Sequence, residues 1–128
     1  MKGMCGWFGG KKDSMLAKEI TDAMVDAMTD KKNDSMQALY GYCEGIAAWS
    51  KIDQASCHEE GSLKIAIIGN VYWENDDLNE LAREKTSAAA VAEAYSRSGE
   101  RFLEDMHGAF CVAIINAQED TALVAIDR

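Results

Sequence analysis

The sequence lacks the features that mark membrane and nucleic-acid-binding proteins. No apolar run approaches the roughly 18 residues that a membrane-spanning helix needs, and the N-terminus has no basic-then-apolar signal pattern. Basic residues are also scarce: 13 Lys and Arg stand against 22 Asp and Glu, which gives a formal net charge of −9. Nucleic-acid binding depends on neutralising phosphates with Lys and Arg, so this charge argues against it and against an anionic membrane surface.

Histidine, proline and paired cysteines are scarce as well. With only two histidines, no Ser-His-Asp arrangement is indicated, and the absence of proline points to no particular function. The four cysteines form no C-x-x-C pair; they are Cys5, Cys43, Cys57 and Cys111. Without a signal peptide, we expect reduced thiols in a cytoplasmic protein.

Metal and phosphate motifs are also missing. The segment Cys57–Glu60 offers three types of metal ligand, but adjacent residues cannot all point at one ion, and no second ligand pair has suitable spacing. The glycines and lysines of Gly6–Lys12 do not fit the G-x-x-x-x-G-K-[ST] pattern. The sequence therefore predicts neither a metal site nor another cofactor.

Length and composition indicate a single domain over residues 1–128. A chain of this length buries about two-thirds of its unfolded surface on folding. Since 48% of its residues are hydrophobic, it can form a real core, and global disorder is not expected.

The N-terminal region is predicted to contain a strand and an amphipathic helix. Met4–Gly9 is typical of a short strand, and Asp13 or Ser14 can cap a helix that extends to about Asp30. Four apolar residues of this helix recur at helical spacing, and we expect them to face the core: Leu16, Ile20, Met24 and Met28.

The middle of the chain is predicted to be mainly strand and loop. Ala38–Trp49, which contains two glycines, indicates a hairpin, whereas Ser50–Gly61 has the composition of a polar loop. Ile65–Ile68 is an apolar run typical of a buried strand, and Gly69-Asn70 is predicted to turn the chain.

The remainder is predicted to contain two helices and a closing hairpin. The helices cover about residues 76–85 and 86–97, and the strands cover 109–116 and 121–126. The first helix begins with Asp76 and Asp77, whose charges favour a helix N-terminus. Strands, two central helices and further strands predict a layered α+β architecture.

Four segments, in order along nearly the whole chain, carry a family resemblance. They are Met4–Gly9, Ile67–Trp73, Phe102–Phe110 and Ala125–Arg128. The chain resembles the glutaminase domain of class II glutamine amidotransferases, in the asparagine-synthetase-like branch. That family has a Met-Cys-Gly start, an Asn-Gly-Glu-Ile-Tyr-Asn-like loop, a Phe-Leu-x-x-Leu-x-Gly-x-Phe-Ala segment and an Arg-Asp or Asp-Arg end.

The resemblance implies an Ntn-hydrolase-like glutaminase fold with antiparallel sheets and helices. In the family the sheet continues with further strands and a synthetase domain follows, so we expect a domain that is shortened at its C-terminus. A sheet that ends at Asp127-Arg128 would leave an unpaired edge. Such an edge would favour a partner or a homo-oligomer.

The resemblance makes Cys5 the thiolate nucleophile that attacks the carboxamide of glutamine and releases ammonia. An N-terminal nucleophile can use its own α-amino group, with a pKa near 8, as its general base. Here Met1–Met4 precede the cysteine and would have to be removed to expose that amine. The alternative interpretation of Cys5 is a small apolar residue in a buried strand.

The resemblance also suggests oxyanion and substrate-binding residues. Gly69 falls on the family's oxyanion glycine, whereas Ile68 falls on its asparagine, so Asn70 is the candidate side-chain donor. A turn residue is the other interpretation of Asn70. For the glutamine carboxylate and ammonium, Lys51 is the only cation near the position of the family arginine, and Ser87 replaces the family aspartate.

Two functions remain open from the sequence. One is glutamine hydrolysis that supplies ammonia to an ATP-dependent synthetase domain or subunit. The other is a catalytically degenerate module of the same fold, with a structural or assembly role beside an ATP-dependent amide-forming ligase. A standalone dimerising protein is a third, weaker interpretation.

Overall fold

The computed structural model describes residues 2–9, 12–29, 34–52 and 54–127. Within these residues the chain forms seven strands, three α-helices and one 3-10 helix. In chain order they are β1 (Gly3–Phe8), α1 (Ser14–Met28), β2 (Ser35–Tyr40), β3 (Glu44–Ser50), β4 (Ala55–Glu60), β5 (Leu63–Trp73), α2 (Asp76–Glu84), α3 (Ser87–Ser98), the 3-10 helix (Gly99–Asp105), β6 (Met106–Asn116) and β7 (Thr121–Asp127).

The strands form two antiparallel sheets that pack face to face. The first sheet has the order β1-β3-β2 and the second has the order β4-β5-β6-β7. Helix α1 packs on the outer face of the first sheet, whereas α3 and α2 cover the outer face of the second. The described part of the chain is therefore a four-layer α/β/β/α arrangement, which confirms the expected layered α+β class.

Alternation along β5 divides the core into two clusters. Ile65 and Ile67 point towards α3 and join the larger cluster beneath the helices. Ala66 packs between the sheets with Ile46 and Ala48 of β3. Small side chains at this second cluster allow the two sheets to approach closely.

Helix α1 begins as predicted but buries a different face. The Asp13 carboxylate accepts hydrogen bonds from the backbone N–H groups of Met15 and Leu16 at 3.0 and 3.2 Å. The predicted stripe is wrong, because Leu16 and Met28 are 38% and 48% exposed. The buried residues lie one position further along the helix and are Ala17, Thr21 and Val25.

Small groups and hydrogen bonds explain this rotation of α1. Gly45 has no side chain, and a Cβ there would overlap with the Thr21 hydroxyl, so the helix lies against the β3 backbone. The Thr21 hydroxyl donates to the Ala17 carbonyl at 2.9 Å and accepts from the Trp7 indole N–H at 3.0 Å. A search for large apolar residues alone could not identify this contact face.

The predictions for the later helices and the hairpins are confirmed within one or two residues, except that β2 and β6 each begin three residues earlier than expected. Thr86 caps α3 by accepting from the Ala89 N–H, and Gly99 ends it with φ of +59°. The predicted hairpins correspond to β2–β3 and β6–β7. No helix among the described residues is long and apolar enough to cross a membrane.

Two predictions for the middle of the chain are wrong. Ser50–Gly61 was expected to be a polar loop, but Ala55–Glu60 within it forms β4. The polar side chains of this strand make specific contacts; for example, the Ser56 hydroxyl accepts from the Ala88 N–H at 3.0 Å. The expected turn at Gly69-Asn70 is absent as well. Strand β5 runs through both residues and pairs with β6 as far as Trp73.

A buried ion pair joins the two sheets at one end. The Nζ of Lys64 in β5 lies 3.0 Å from an Oε of Glu44 in β3, and both residues are 4% exposed. Burial alone would raise the pKa of Glu44, but hydrogen bonds from Lys64 and Cys43 outweigh this effect and lower the pKa. Glu59, whose side chain is 45% exposed, is a second and longer partner of Lys64 at 3.7 Å.

Replacing Glu44 by Gln is expected to lower the free energy of unfolding by about 3–5 kcal/mol, because the Lys64 ammonium stays buried without its main counter-charge. The double variant Glu44→Met/Lys64→Met should recover most of this loss, since both buried charges are removed together. Urea denaturation near neutral pH measures both changes. A double variant as unstable as Glu44→Gln would contradict this account.

Candidate functional site

A polar cleft of about 350 Å³ lies at the opposite end of the two sheets from the Glu44–Lys64 pair. Three of the site residues predicted from the sequence line it: Gly69, Asn70 and Ser87. They come from β5 and from the first turn of α3. The cleft therefore brings together positions that are distant in the sequence.

Two glycines shape the strand pair beside the cleft. Gly69 of β5 has φ of +111° and Gly108 of β6 has φ of +116°, a backbone region that residues with a side chain rarely adopt. A Cβ on Gly69 would overlap with the Ala109 carbonyl, and a Cβ on Gly108 would overlap with the Asn70 carbonyl. This close approach of two backbones fixes where Asn70 sits.

Gln54 connects Asn70 to the N-terminal segment. Its backbone carbonyl accepts from the Gly69 N–H at 2.8 Å, and its side-chain amide donates to Asn70 Oδ1 at 3.1 Å. The Gln54 side-chain oxygen accepts from Lys2 Nζ at 3.3 Å. Asn70 thus uses its oxygen in this chain of contacts, and its Nδ2 group has no hydrogen-bond partner among the described residues.

Ser87 lies where α3 begins at the cleft. The contact between Ser56 and the Ala88 N–H fixes this end of the helix against β4, and Thr86 also lines the cleft. The hydroxyls of Thr86 and Ser87 are therefore held beside the amide groups of Gln54 and Asn70.

The cations of the cleft are not the one predicted from the sequence. Lys51 is exposed and does not line the cleft, whereas Arg83 and Lys85 do. Both belong to the end of α2, where basic residues commonly neutralise the helix dipole. Because this ordinary structural role explains them, nothing in the sequence singled them out.

Cys5 is positioned away from this cleft. In β1 it pairs with Ala47 of β3 and shares a sheet face with Trp7, whose indole contacts α1. The Cys5 side chain therefore lies on the α1 side of the first sheet, whereas the neighbouring Met4 faces the second sheet. Cys5 also lines a separate, mainly apolar cavity of about 360 Å³ with Met4 and Cys111.

The surroundings of Cys5 favour the thiol over the thiolate. Burial raises its pKa above the ordinary value of 9.0. Burial also raises the pKa of Cys57 to about 12. In addition, the nitrogen of Cys5 is an amide within β1, so it cannot serve as a general base while residues 1–4 precede it.

The remaining candidate side chains have other positions. Strand alternation places Cys57 and His58 on opposite faces of β4, and no group of three His, Cys, Asp or Glu in the described ranges could hold a metal. His107 lies in β6, and its side chain is 38% exposed. It contacts Glu74 at 3.0 Å and stacks on Tyr72.

Comparison with protein-family models and with curated protein sequences gave no match to this chain. The geometry of the cleft and the motifs of the sequence are therefore the grounds on which its function is inferred.

Replacing Gly69 by Ala should lower the free energy of unfolding by about 3 kcal/mol or more, because the new Cβ overlaps with the β6 backbone and φ is unfavourable. Gly61→Ala is the matched control, since Gly61 also has positive φ but open space around it. We expect the control to lose only about 1–2 kcal/mol. Thermal and urea unfolding distinguish the two, and equal losses would contradict the close approach of β5 and β6.

Iodoacetamide at about pH 7.5 is expected to modify Cys5 more slowly than free cysteine, because burial raises its pKa and lowers its thiolate fraction. The modification rate of Cys5 should rise as the pH passes 9.0, and Cys57 should react more slowly than Cys5. Peptide mapping by mass spectrometry measures both rates. Modification of Cys5 faster than free cysteine would instead indicate an activated nucleophile.

Proposed function

We propose that this protein is a glutamine amidotransferase-type domain, of the asparagine-synthetase-like class, that binds a carboxamide ligand in the cleft at Asn70. In the form with residues 1–4 attached, it acts as a binding or assembly module beside an ATP-dependent amide-forming ligase and does not hydrolyse glutamine. The finer fold assignment, an Ntn-hydrolase-like glutaminase fold, belongs to the same proposal.

The observation that carries the proposal is the position of Gly69 and Asn70 at a polar cleft. The sequence motifs suggested these residues as oxyanion donors, and they lie beside Ser87, the suggested substrate-binding residue. The α/β/β/α layers, with α1 outside one sheet and α3 outside the other, also support it. A fold does not by itself determine a function, so the residues of the cleft are the stronger support for the proposal.

The chemistry of the cleft suits a carboxamide. A carboxamide needs both hydrogen-bond donors and acceptors, and the side-chain amides of Gln54 and Asn70 supply both. The hydroxyls of Thr86 and Ser87 add further partners of either kind. Asn70 Nδ2 is the donor that remains free within the described part of the chain.

Hydrolysis is disfavoured by what surrounds Cys5. Its thiol faces α1 and not the cleft, its pKa is raised, and its backbone nitrogen is an amide. An attack on a carboxamide needs the thiolate close to the carbonyl carbon and a base to accept the thiol proton. The cleft can therefore hold a ligand without a nucleophile beside it.

A second candidate function is glutamine hydrolysis after removal of residues 1–4. One contact favours it: Lys2 reaches Gln54, so the segment that precedes Cys5 lies next to the partner of Asn70. Removal of this segment would expose the α-amine of Cys5 and would release that contact. The start of β1 could then move relative to the cleft.

Intact mass measured with 6-diazo-5-oxo-L-norleucine, a glutamine-like electrophile, tests the proposal. We expect the chain with residues 1–4 attached to form no covalent adduct, because Cys5 has neither a free amine nor a raised thiolate fraction. L-Glutamine should nevertheless shift amide resonances of Gly69 and Asn70 in ¹⁵N-edited NMR spectra.

The control is Cys5→Ser, which should leave the NMR shifts unchanged, because the thiol does not line the cleft. A single adduct that forms on the wild-type chain and disappears in Cys5→Ser would overturn the non-hydrolytic assignment and support the glutaminase. Absence of both adduct and shifts would exclude the cleft as a glutamine site.

A further inference from the structure

Two basic side chains face the cleft from the helix layer. Arg83 lies in the last turn of α2 and also lines an adjoining cleft along that helix, and Lys85 follows directly after α2. Asn70 and Gln54 lie at the strand side of the same cleft. A ligand in this space would therefore meet cations on one side and neutral amides on the other.

Several other basic residues of the described part of the chain are engaged with carboxylates. Arg97 forms ion pairs with Asp77 and with Glu93, and Arg101 lies 3.3 Å from Glu104. In contrast, neither Arg83 nor Lys85 forms an ion pair within the described part of the chain. The protein has a net charge of −9, and its 22 Asp and Glu residues outnumber its 13 Lys and Arg residues. Two cations at one cleft that have no ion-pair partner among the described residues therefore stand out.

We propose that Arg83, assisted by Lys85, binds the carboxylate of the ligand in the cleft and so determines its specificity. The inference rests on the proposed function, in which the ligand is of the glutamine type. The planar guanidinium of Arg83 can donate two parallel hydrogen bonds to a carboxylate, whereas Lys85 supplies a point charge. The carboxamide end then points to Asn70 and Gln54.

This assignment moves substrate recognition from the loop after β3 to the end of α2. Lys51, the cation suggested by the sequence, is exposed and lies outside the lining of the cleft. Arg83 and Lys85 are separated from Thr86 and Ser87 by no more than four positions, so a short segment supplies both charges and both hydroxyls. Ligand preference should accordingly depend on this segment.

NMR titration of the full chain with three probes tests the inference. L-Glutamine carries a carboxylate and a carboxamide, glutarate carries two carboxylates, and 4-aminobutanamide carries a carboxamide without a carboxylate. Arg83→Gln should raise the dissociation constants of L-glutamine and glutarate about 10- to 100-fold, because a charged hydrogen-bond pair is lost. Binding of 4-aminobutanamide should be weak and the same in both proteins.

Matched variants separate the proposed contact between Arg83 and the ligand carboxylate, called the clamp below, from general charge effects. Arg83→Lys should weaken binding less than Arg83→Gln, because the charge remains while the fork is lost. Lys51→Gln and Arg101→Gln remove the same charge outside the cleft and should change binding less than about twofold. The NMR spectrum of each variant shows directly whether it is folded.

The outcomes distinguish failure of the clamp from failure of the proposed function. A folded Arg83→Gln variant that binds L-glutamine as the wild type does would overturn the clamp and leave the amidotransferase-type site standing. Glutarate binding that depends on Arg83, without any binding of L-glutamine, would support the clamp and remove glutamine as the ligand. If neither probe shifts resonances of the cleft, both proposals are overturned.

Discussion

A carboxylate and an ammonium enclosed between two sheets restrict how those sheets can pack, and the Glu44–Lys64 pair has this role here. One partner comes from β3 and the other from β5, the strands at the centre of the sheet packing. A slip of one residue in either strand would separate them and leave a charge buried alone. The small residues between the sheets, such as Ala48 and Ala66, place little restriction on the register, so we expect the ion pair to contribute to the specificity of the packing.

The opposite end of the sheets depends on the same arrangement but is joined mainly through side-chain amides. There Gln54 bridges Lys2 and Asn70, and Gln37 accepts from the Cys57 N–H at 2.7 Å. A neutral amide can exchange its hydrogen bonds for bonds to water at little net cost, so this end can remain open as a cleft. The structure therefore combines one closed, charged end with one open, polar end, and the second is suited to a ligand.

The sequence predicted those elements whose formation depends on local signals. Thr86 and Gly99 mark the ends of α3, and the acidic start of α2 is equally visible. Strand β4 was missed because Ser56 and Cys57 make contacts that their polarity does not reveal. At the cleft, the family resemblance pointed to Gly69, Asn70 and Ser87, which do line it. Arg83, the residue that we propose binds the ligand carboxylate, could not be identified from the sequence, since which cleft the end of α2 faces depends on tertiary packing.

The paired glycines at Gly69 and Gly108 separate two properties that many binding sites combine. Backbone approach sets the shape of the strand edge, and side chains from α2 and the start of α3 set its chemistry. If the proposed function holds, substitutions in residues 83–87 should change ligand preference without deforming the sheet, whereas the two glycines tolerate almost no substitution. For protein engineering, residues 83–87 are therefore a compact region in which to vary the sequence while the rest of the fold stays unchanged.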